Sequence, residues 1–188
     1  MRLFVAIDIP EDLKKVLLDS VNELSIADKT ALKWTKKDAM HLTLKFIGEY
    51  PVIKLDLLKK QLATLEFEEI SLEIKGKGGF PHIDNAKVLW AGINEKNNGK
   101  LLQKLAGEIN ARLVKAGIPE EKRVFKPHLT LARVKSKVLE NIQKHFLDNK
   151  NTFYGEFSVR SFTLYESILK SSGPEYRELF KILSKKIL

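Results

Sequence analysis

His41-Leu42-Thr43-Leu44 and His128-Leu129-Thr130-Leu131 are the same tetrapeptide, and together they use two of the four histidines in a chain of 188 residues. Each opens a run of strand formers, HLTLKFIG (41–48) and HLTLARV (128–134). Successive side chains of a strand point to opposite faces. His and Thr therefore share one face, while Leu42 and Leu44, or Leu129 and Leu131, take the other and can enter a core. One such strand is ordinary. A pair of them calls for two homologous halves, because unrelated strands have no structural need for the same histidine.

Outward from the two motifs, short apolar runs alternate with amphipathic ones. Leu3 to Ile7 reads as a buried strand. Pro10 opens a helix whose Glu11 and Asp12 suit its positive end, and Leu13, Leu17, Val21 and Leu24 mark one face of it. Leu55, Leu58, Leu62 and Leu65 mark a second helix. Leu101, Leu105, Ile109 and Leu113 mark a third, stopping at Gly117, and Val138, Leu139, Ile142 and Phe146 a fourth. Strands are expected where Ile70, Leu72 and Ile74 alternate with polar residues, over 88–93, and over 157–168. Gly76 to Pro81 reads as a turn between strands, and Tyr176 to Leu188 is open between strand and helix. No Pro/Gly/Ser-rich linker divides the chain, so residues 1–188 are expected to form a single catalytic domain. The order of elements points to an α/β (α+β) fold with helices on the outer faces of its sheets.

Composition narrows the function classes. With no cysteine, disulfide frameworks, thiolate metal sites and cysteine nucleophiles are excluded. The amino terminus is too short in apolar residues for a signal peptide, and no stretch approaches the roughly 18 apolar residues of a membrane span. A soluble, cytoplasmic, membrane-free protein is expected, and nothing forces assembly beyond a monomer. The net charge of +9, from 33 Lys and Arg against 24 Asp and Glu, favours polyanions such as RNA, although Lys-rich solubility explains it equally well.

If a pseudo-twofold axis relates the two halves, both histidines and both threonines face one central cleft. In-line displacement at phosphorus needs a base on one side and an acid on the other. Histidine suits either task, since its reference pKa of about 6.5 leaves both protonation states accessible near neutrality. The Thr43 and Thr130 hydroxyls can donate to non-bridging phosphate oxygens, where charge builds up.

On these motifs and their flanks, MRLFVAIDIPEDL, KWTKKDAMHLTLKFIGEY and FKPHLTLARV, the chain resembles the two-histidine phosphoesterase superfamily, and within it the LigT-like RNA 2′,3′-cyclic phosphodiesterases. The resemblance spans nearly the whole chain. It implies a bilobal fold of two pseudo-twofold-related lobes, each with an antiparallel sheet and outer helices, around a basic cleft with no required metal or cofactor. It implies hydrolysis of an RNA 2′,3′-cyclic phosphate end to a 2′-phosphate, with His41 as proton donor and His128 as proton acceptor. Thr43, Thr130 and Arg133 match the phosphate-holding positions of similar proteins. Strict alternation puts Arg133 on the face opposite His128, so a bend, bulge or strand end is required there.

Lys45 shares the His41 face by alternation and is a possible RNA contact, as are Trp34 and Phe125, which precede the motifs closely enough to stack a base; solvation of Lys45 and core packing of the two rings are the plainer readings. His82, in a turn, and His145, beside the fourth helix's apolar stripe, have no matched partner. A zinc site lacks a third ligand. Lys75 to Gly79, KGKGG, lacks the phosphate-loop pattern and reads as a flexible turn. Two rival functions fit the same residues: 2′,5′ ligation of RNA or cleavage of 2′,5′-linked oligonucleotides at the same site, and a non-catalytic RNA or nucleotide binding module.

Overall fold

The computed structural model describes residues 1–27, 30–96, 100–171 and 173–185. Its elements run β1 (Arg2–Asp8), α1 (Glu11–Asp19), α2 (Asn22–Ala27), β2 (Leu32–Trp34), β3 (His41–Glu49), α3 (Leu55–Ala63), β4 (Ile70–Phe80), β5 (Val88–Glu95), α4 (Leu101–Lys115), β6 (His128–Val134), α5 (Glu140–Asp148), β7 (Phe153–Val159), β8 (Ser161–Lys170) and β9 (Gly173–Leu183). Both motifs open strands. The first expected helix is two: α1 ends at Asp19, where the Ser20 hydroxyl donates to the Leu17 carbonyl, and Val21 remains buried between α1 and α2. The ambiguous C-terminal stretch is a strand as far as Leu183, because β9 pairs along its whole length with β8; residues 186–188 lie outside the described ones.

Among the described residues the strands form one antiparallel sheet in the order β7-β4-β5-β6-β3-β1-β8-β9, with β2 joined to β6. The two expected lobes are its two halves, β9-β8-β1-β3 and β6-β5-β4-β7. Their sheets are continuous through a single paired position, Leu42 with Leu129. Both leucines are fully buried. That pair lies at the centre of the two repeats, where a pseudo-twofold axis would pass.

The helices interlock the halves. Helix α1 follows β1 of one half but packs on β7 of the other, and α4 follows β5 of the second half but packs on β3 of the first. The α4 face that does this carries Leu102, Leu105, Ile109 and Leu113, all buried, at the spacing read from the sequence. The buried faces of α1, α3, α4 and α5 join Leu42 and Leu129 in one cluster, so one hydrophobic core runs under both halves. The His-x-Thr side is left to line a cleft.

The turn readings fail. Neither KGKGG nor Gly76 to Pro81 is a turn between strands: Lys75 to Phe80 lies inside β4, paired with β5 and β7. Its glycines are there for close packing. A Cβ on Gly78 would sit 2.3 Å from the Trp90 ring, and one on Gly76, whose φ is +79°, 2.3 Å from the Lys150 carbonyl oxygen. No helix among the described residues is long and apolar enough to cross a membrane.

Candidate active site

The Leu42–Leu129 pairing fixes the arrangement of the two motifs. Its antiparallel sense carries His41 toward Thr130 and Thr43 toward His128. All four side chains line one cavity of about 780 Å³, together with Arg133, Trp34 and Phe125. The cavity is basic. Lys33, Lys36, Lys45, Arg123, Lys126 and Arg133 line it against a single carboxylate, Glu121, which pairs with Arg123.

The strands bulge at the same residue of each motif. Between β1 and β3 the register passes from Val5–Lys45 to Ala6–Thr43, leaving Leu44 unpaired; between β5 and β6 it passes from Leu89–Ala132 to Trp90–Thr130, leaving Leu131 unpaired. Two consecutive residues are buried at each bulge, Leu44 with Lys45 and Leu131 with Ala132. Alternation is thereby reset by one residue. Arg133 returns to the His128 face, resolving the conflict that strict alternation raised.

The same reset corrects the placement of Lys45. It pairs with Val5 on the core face rather than the His41 face and is buried, meeting the cavity wall beside Asn110. Its ammonium donates to Asn110 Oδ1 at 2.9 Å and to the Pro119 carbonyl at 3.2 Å, tying β3 to α4 and to the chain before β6. Burial holds its pKa below the usual lysine value. Position 46 takes the place on the cleft face that alternation gave to 45.

Each histidine sits among rings that the sequence reading missed. Phe4 stacks on His41 with ring centroids 4.7 Å apart, and Tyr176 meets the same ring edge-on at 5.1 Å. Phe80 meets His128 edge-on at 4.9 Å. Asp8 is the register partner of His41, and the Tyr165 hydroxyl donates to both Asp8 carboxylate oxygens at 2.7 Å. A carboxylate closing an apolar strand was the available signal for Asp8; Tyr176 and Phe80 arrive from strands far away in sequence and left none. Trp34 and Phe125 line the cavity while also packing on the core.

The two imidazoles differ electrically. Burial is the main force on both and lowers both pKa values, that of His41 to about 4. Each also has a backbone hydrogen bond to the residue two positions before it, Ala39 or Lys126. For His128 this bond is Nδ1 to the Lys126 carbonyl at 2.7 Å. A carbonyl only accepts, so Nδ1 carries hydrogen and Nε2 is the atom left to take a proton. The neighbours then diverge: the Asp8 charge favours protonated His41, while the Arg133 charge disfavours protonated His128.

His82 and His145 are elsewhere, the first exposed and paired with Asp84 at 3.0 Å, the second 2.9 Å from the Lys77 ammonium. Among the described residues no group of three or more His, Cys, Asp or Glu is placed to hold a metal ion.

A family model described as the 2′-5′ RNA ligase superfamily matches residues 14–169. The chain belongs to that superfamily. Curated relatives include RNA 2′,3′-cyclic phosphodiesterases of Archaeoglobus fulgidus, 33% identical over 95% of this chain and 98% of that one, and of Methanocaldococcus jannaschii, 33% identical over 94% and 96%. Among solved structures, a protein of Thermus thermophilus is 29% identical with a TM-score of 0.76 over 97% of each chain. LigT of E. coli, at 22% identity and a TM-score of 0.79 over 98% of each chain, shares the LigT-like fold. Within the superfamily, the paired His-x-Thr strands of this chain are the part of the fold that opens on the cavity.

Proposed function

We propose that this protein is an RNA 2′,3′-cyclic phosphodiesterase that forms a 2′-phosphate by two-histidine general acid and base catalysis, with no metal and no cofactor. The observation that carries the reading is the convergence of both His-x-Thr pairs, from adjacent antiparallel strands, on one basic cavity. Relatives bearing that activity's name match almost end to end.

In this reading the cyclic phosphate lies between the two histidines. His128 Nε2 takes a proton from water as the water oxygen attacks phosphorus. The bond from phosphorus to O3′ breaks, and His41 delivers its proton to O3′. Thr43, Thr130 and Arg133 hold the non-bridging oxygens. Asp8 beside His41 and Arg133 beside His128 bias the two rings toward acid and base respectively. Burial alone would leave both rings neutral near pH 7, so His41 acquires its proton when the phosphate anion binds.

The test is turnover of a short RNA with a 2′,3′-cyclic phosphate end, in EDTA, from pH 5 to 9, with the product isomer identified. A 2′-phosphate and a bell-shaped profile are expected. Recovery only on adding metal would reject the metal-free mechanism, and a 3′-phosphate would reject the assigned leaving oxygen. The superfamily's description favours a second reading, 2′,5′ joining of RNA ends, which runs through the same transfer with a ribose hydroxyl in place of water. Paired RNA halves supplied under the same conditions distinguish the two.

A further inference from the structure

We infer that Lys33 is a second cation on the reacting phosphate, gripping it opposite Arg133 and taking up the extra negative charge that the group acquires while water attacks. The inference rests on the phosphodiesterase reading and adds a substrate-binding residue to it.

Lys33 and Arg133 are direct partners across β2 and β6. Side chains so opposed share one face, with Cβ atoms about 4.5–5.5 Å apart, and like charges there repel. Both residues are exposed, both line the cavity, and neither enters a salt bridge among the described residues. On its other side Arg133 is opposed by Val88, so neither neighbouring strand sets a carboxylate opposite it. A second like-charged pair, Glu73 opposite Glu156, shows what the fold does elsewhere: Lys96 binds Glu156, and Asn94 donates to Glu73. Lys33 and Arg133 have no such relief within the chain. An anion in the cavity supplies it.

The fold pins Lys33 in place. Strand β6 pairs with β3 only at Leu129, and where β3 diverges the three residues of β2 take the next place in the sheet. Leu32, buried, and Trp34, packed on the core, anchor this strand on either side of Lys33. Its ends are tied by backbone bonds from Thr35 to the Leu131 carbonyl and from Lys135 to the Ala31 carbonyl. The Arg133 charge acts on His128 and Tyr176, so the cation pair stands beside the reacting group. A cyclic phosphate carries one negative charge. Once water has given a proton to His128, the phosphoryl group carries a second until His41 protonates O3′, and the monoester released is a dianion above its second pKa of about 6. Two cations favour those states over the substrate, and so raise kcat rather than affinity for the substrate.

The experiment compares the parent, K33M, K33R, R133A and the K33M/R133A double variant on adenosine 2′,3′-cyclic phosphate, which holds no other phosphate, and on a dinucleotide ending in the same group. K33M should lower kcat by about tenfold or more on both substrates, with KM within about threefold, and K33R should recover most of the loss. The double variant should lose less than the product of the two single losses, because both cations act on one group. Unchanged kcat in K33M would overturn the inference. So would a loss confined to the dinucleotide, which would assign Lys33 to the neighbouring phosphate. Binding of inorganic phosphate and melting curves separate this from the catalytic reading. K33M should bind phosphate about tenfold more weakly at pH 8, where phosphate is a dianion, and be less affected at pH 5.5. In phosphate-free, low-salt buffer it should melt no lower than the parent, because a repulsion has been removed, and phosphate should raise its Tm less. A K33M that melts well below the parent would mark Lys33 as structural and overturn the inference. If the parent proves inactive, weaker phosphate binding by K33M still supports the cation pair, and unchanged binding still rejects it.

Discussion

Asp8 and His41 face each other across β1 and β3, and Tyr165 holds the Asp8 carboxylate through both oxygens. The carboxylate favours the protonated imidazole. In D8N the alkaline limb of the pH–rate profile, which reports the acid, should move down by about half a unit to one unit. In Y165F the carboxylate charge is less shared, so the limb should move up. Steady-state rates over pH 5 to 9 check both signs, and a shift in the same direction for both variants would rule out this role for Asp8.

His41→Ala and His128→Ala should each lower kcat on cyclic-phosphate RNA by about 10² to 10⁴ fold. Both rings line the cleft rather than the core, so thermal unfolding should change little beyond the lost contacts with Phe4 or Phe80. The measurement is single-turnover kinetics beside a melting curve. Near-parental rates in both variants would reject the mechanism.

Arg133→Ala should reduce kcat/KM by roughly 10- to 100-fold, the value of a charge-assisted hydrogen bond to phosphate. Arg133→Lys should recover only part of this, because a point charge replaces a planar fork. Raising salt should weaken RNA binding less in Arg133→Ala than in the parent.

His41 in the folded protein has a pKa of about 4, below the about 6.5 of an unfolded histidine. The unfolded chain therefore binds more protons between those values. Stability from this group is complete above pH 6.5 and lost as pH falls toward 4, by up to about 3 kcal/mol. Urea unfolding of parent and H41Q at pH 4.5, 5.5 and 7 should show a shallower decline in the variant. Phosphate binding near pH 6.5, measured calorimetrically in buffers of different ionisation enthalpy, should take up protons in the parent.

Lys77 is buried, with its ammonium on the Ser20 carbonyl and on His145 Nε2, and burial lowers its pKa to about 8. Between about pH 8 and 10.5 the unfolded chain again binds the extra proton, so this group adds stability as pH rises. The stability difference between parent and K77M should shift in favour of the parent by about 2 kcal/mol across that window. A pH-independent difference in chemical denaturation would contradict it.

Much of this protein was legible in the chain itself. The repeated His-x-Thr fixed the catalytic candidates because strand alternation separates His and Thr from Leu without reference to any distant residue. The helix faces at 101–113 and, from Ile142 to Phe146, in α5 were equally local, being matters of 3.6-residue spacing. Sequence also exposed the conflict at Arg133, although it could not supply the solution. Pairing decided the rest. Whether a strand bulges depends on what lies beside it, and β1 and β5 impose the shifts that return Arg133 and Phe46 to the cleft and send Lys45 to the core. KGKGG read as a turn because glycine's backbone freedom is its local signature, while the contact that needs it, the Trp90 ring, comes from the next strand. Asp8, Tyr176 and Phe80 reach the histidines, and Tyr165 reaches Asp8, only when β1, β9, β4 and β8 join the sheet. Residue types and their spacing determined what chemistry the chain can carry; register between distant strands decided which side chains surround it, because packing is a property of neighbours in space.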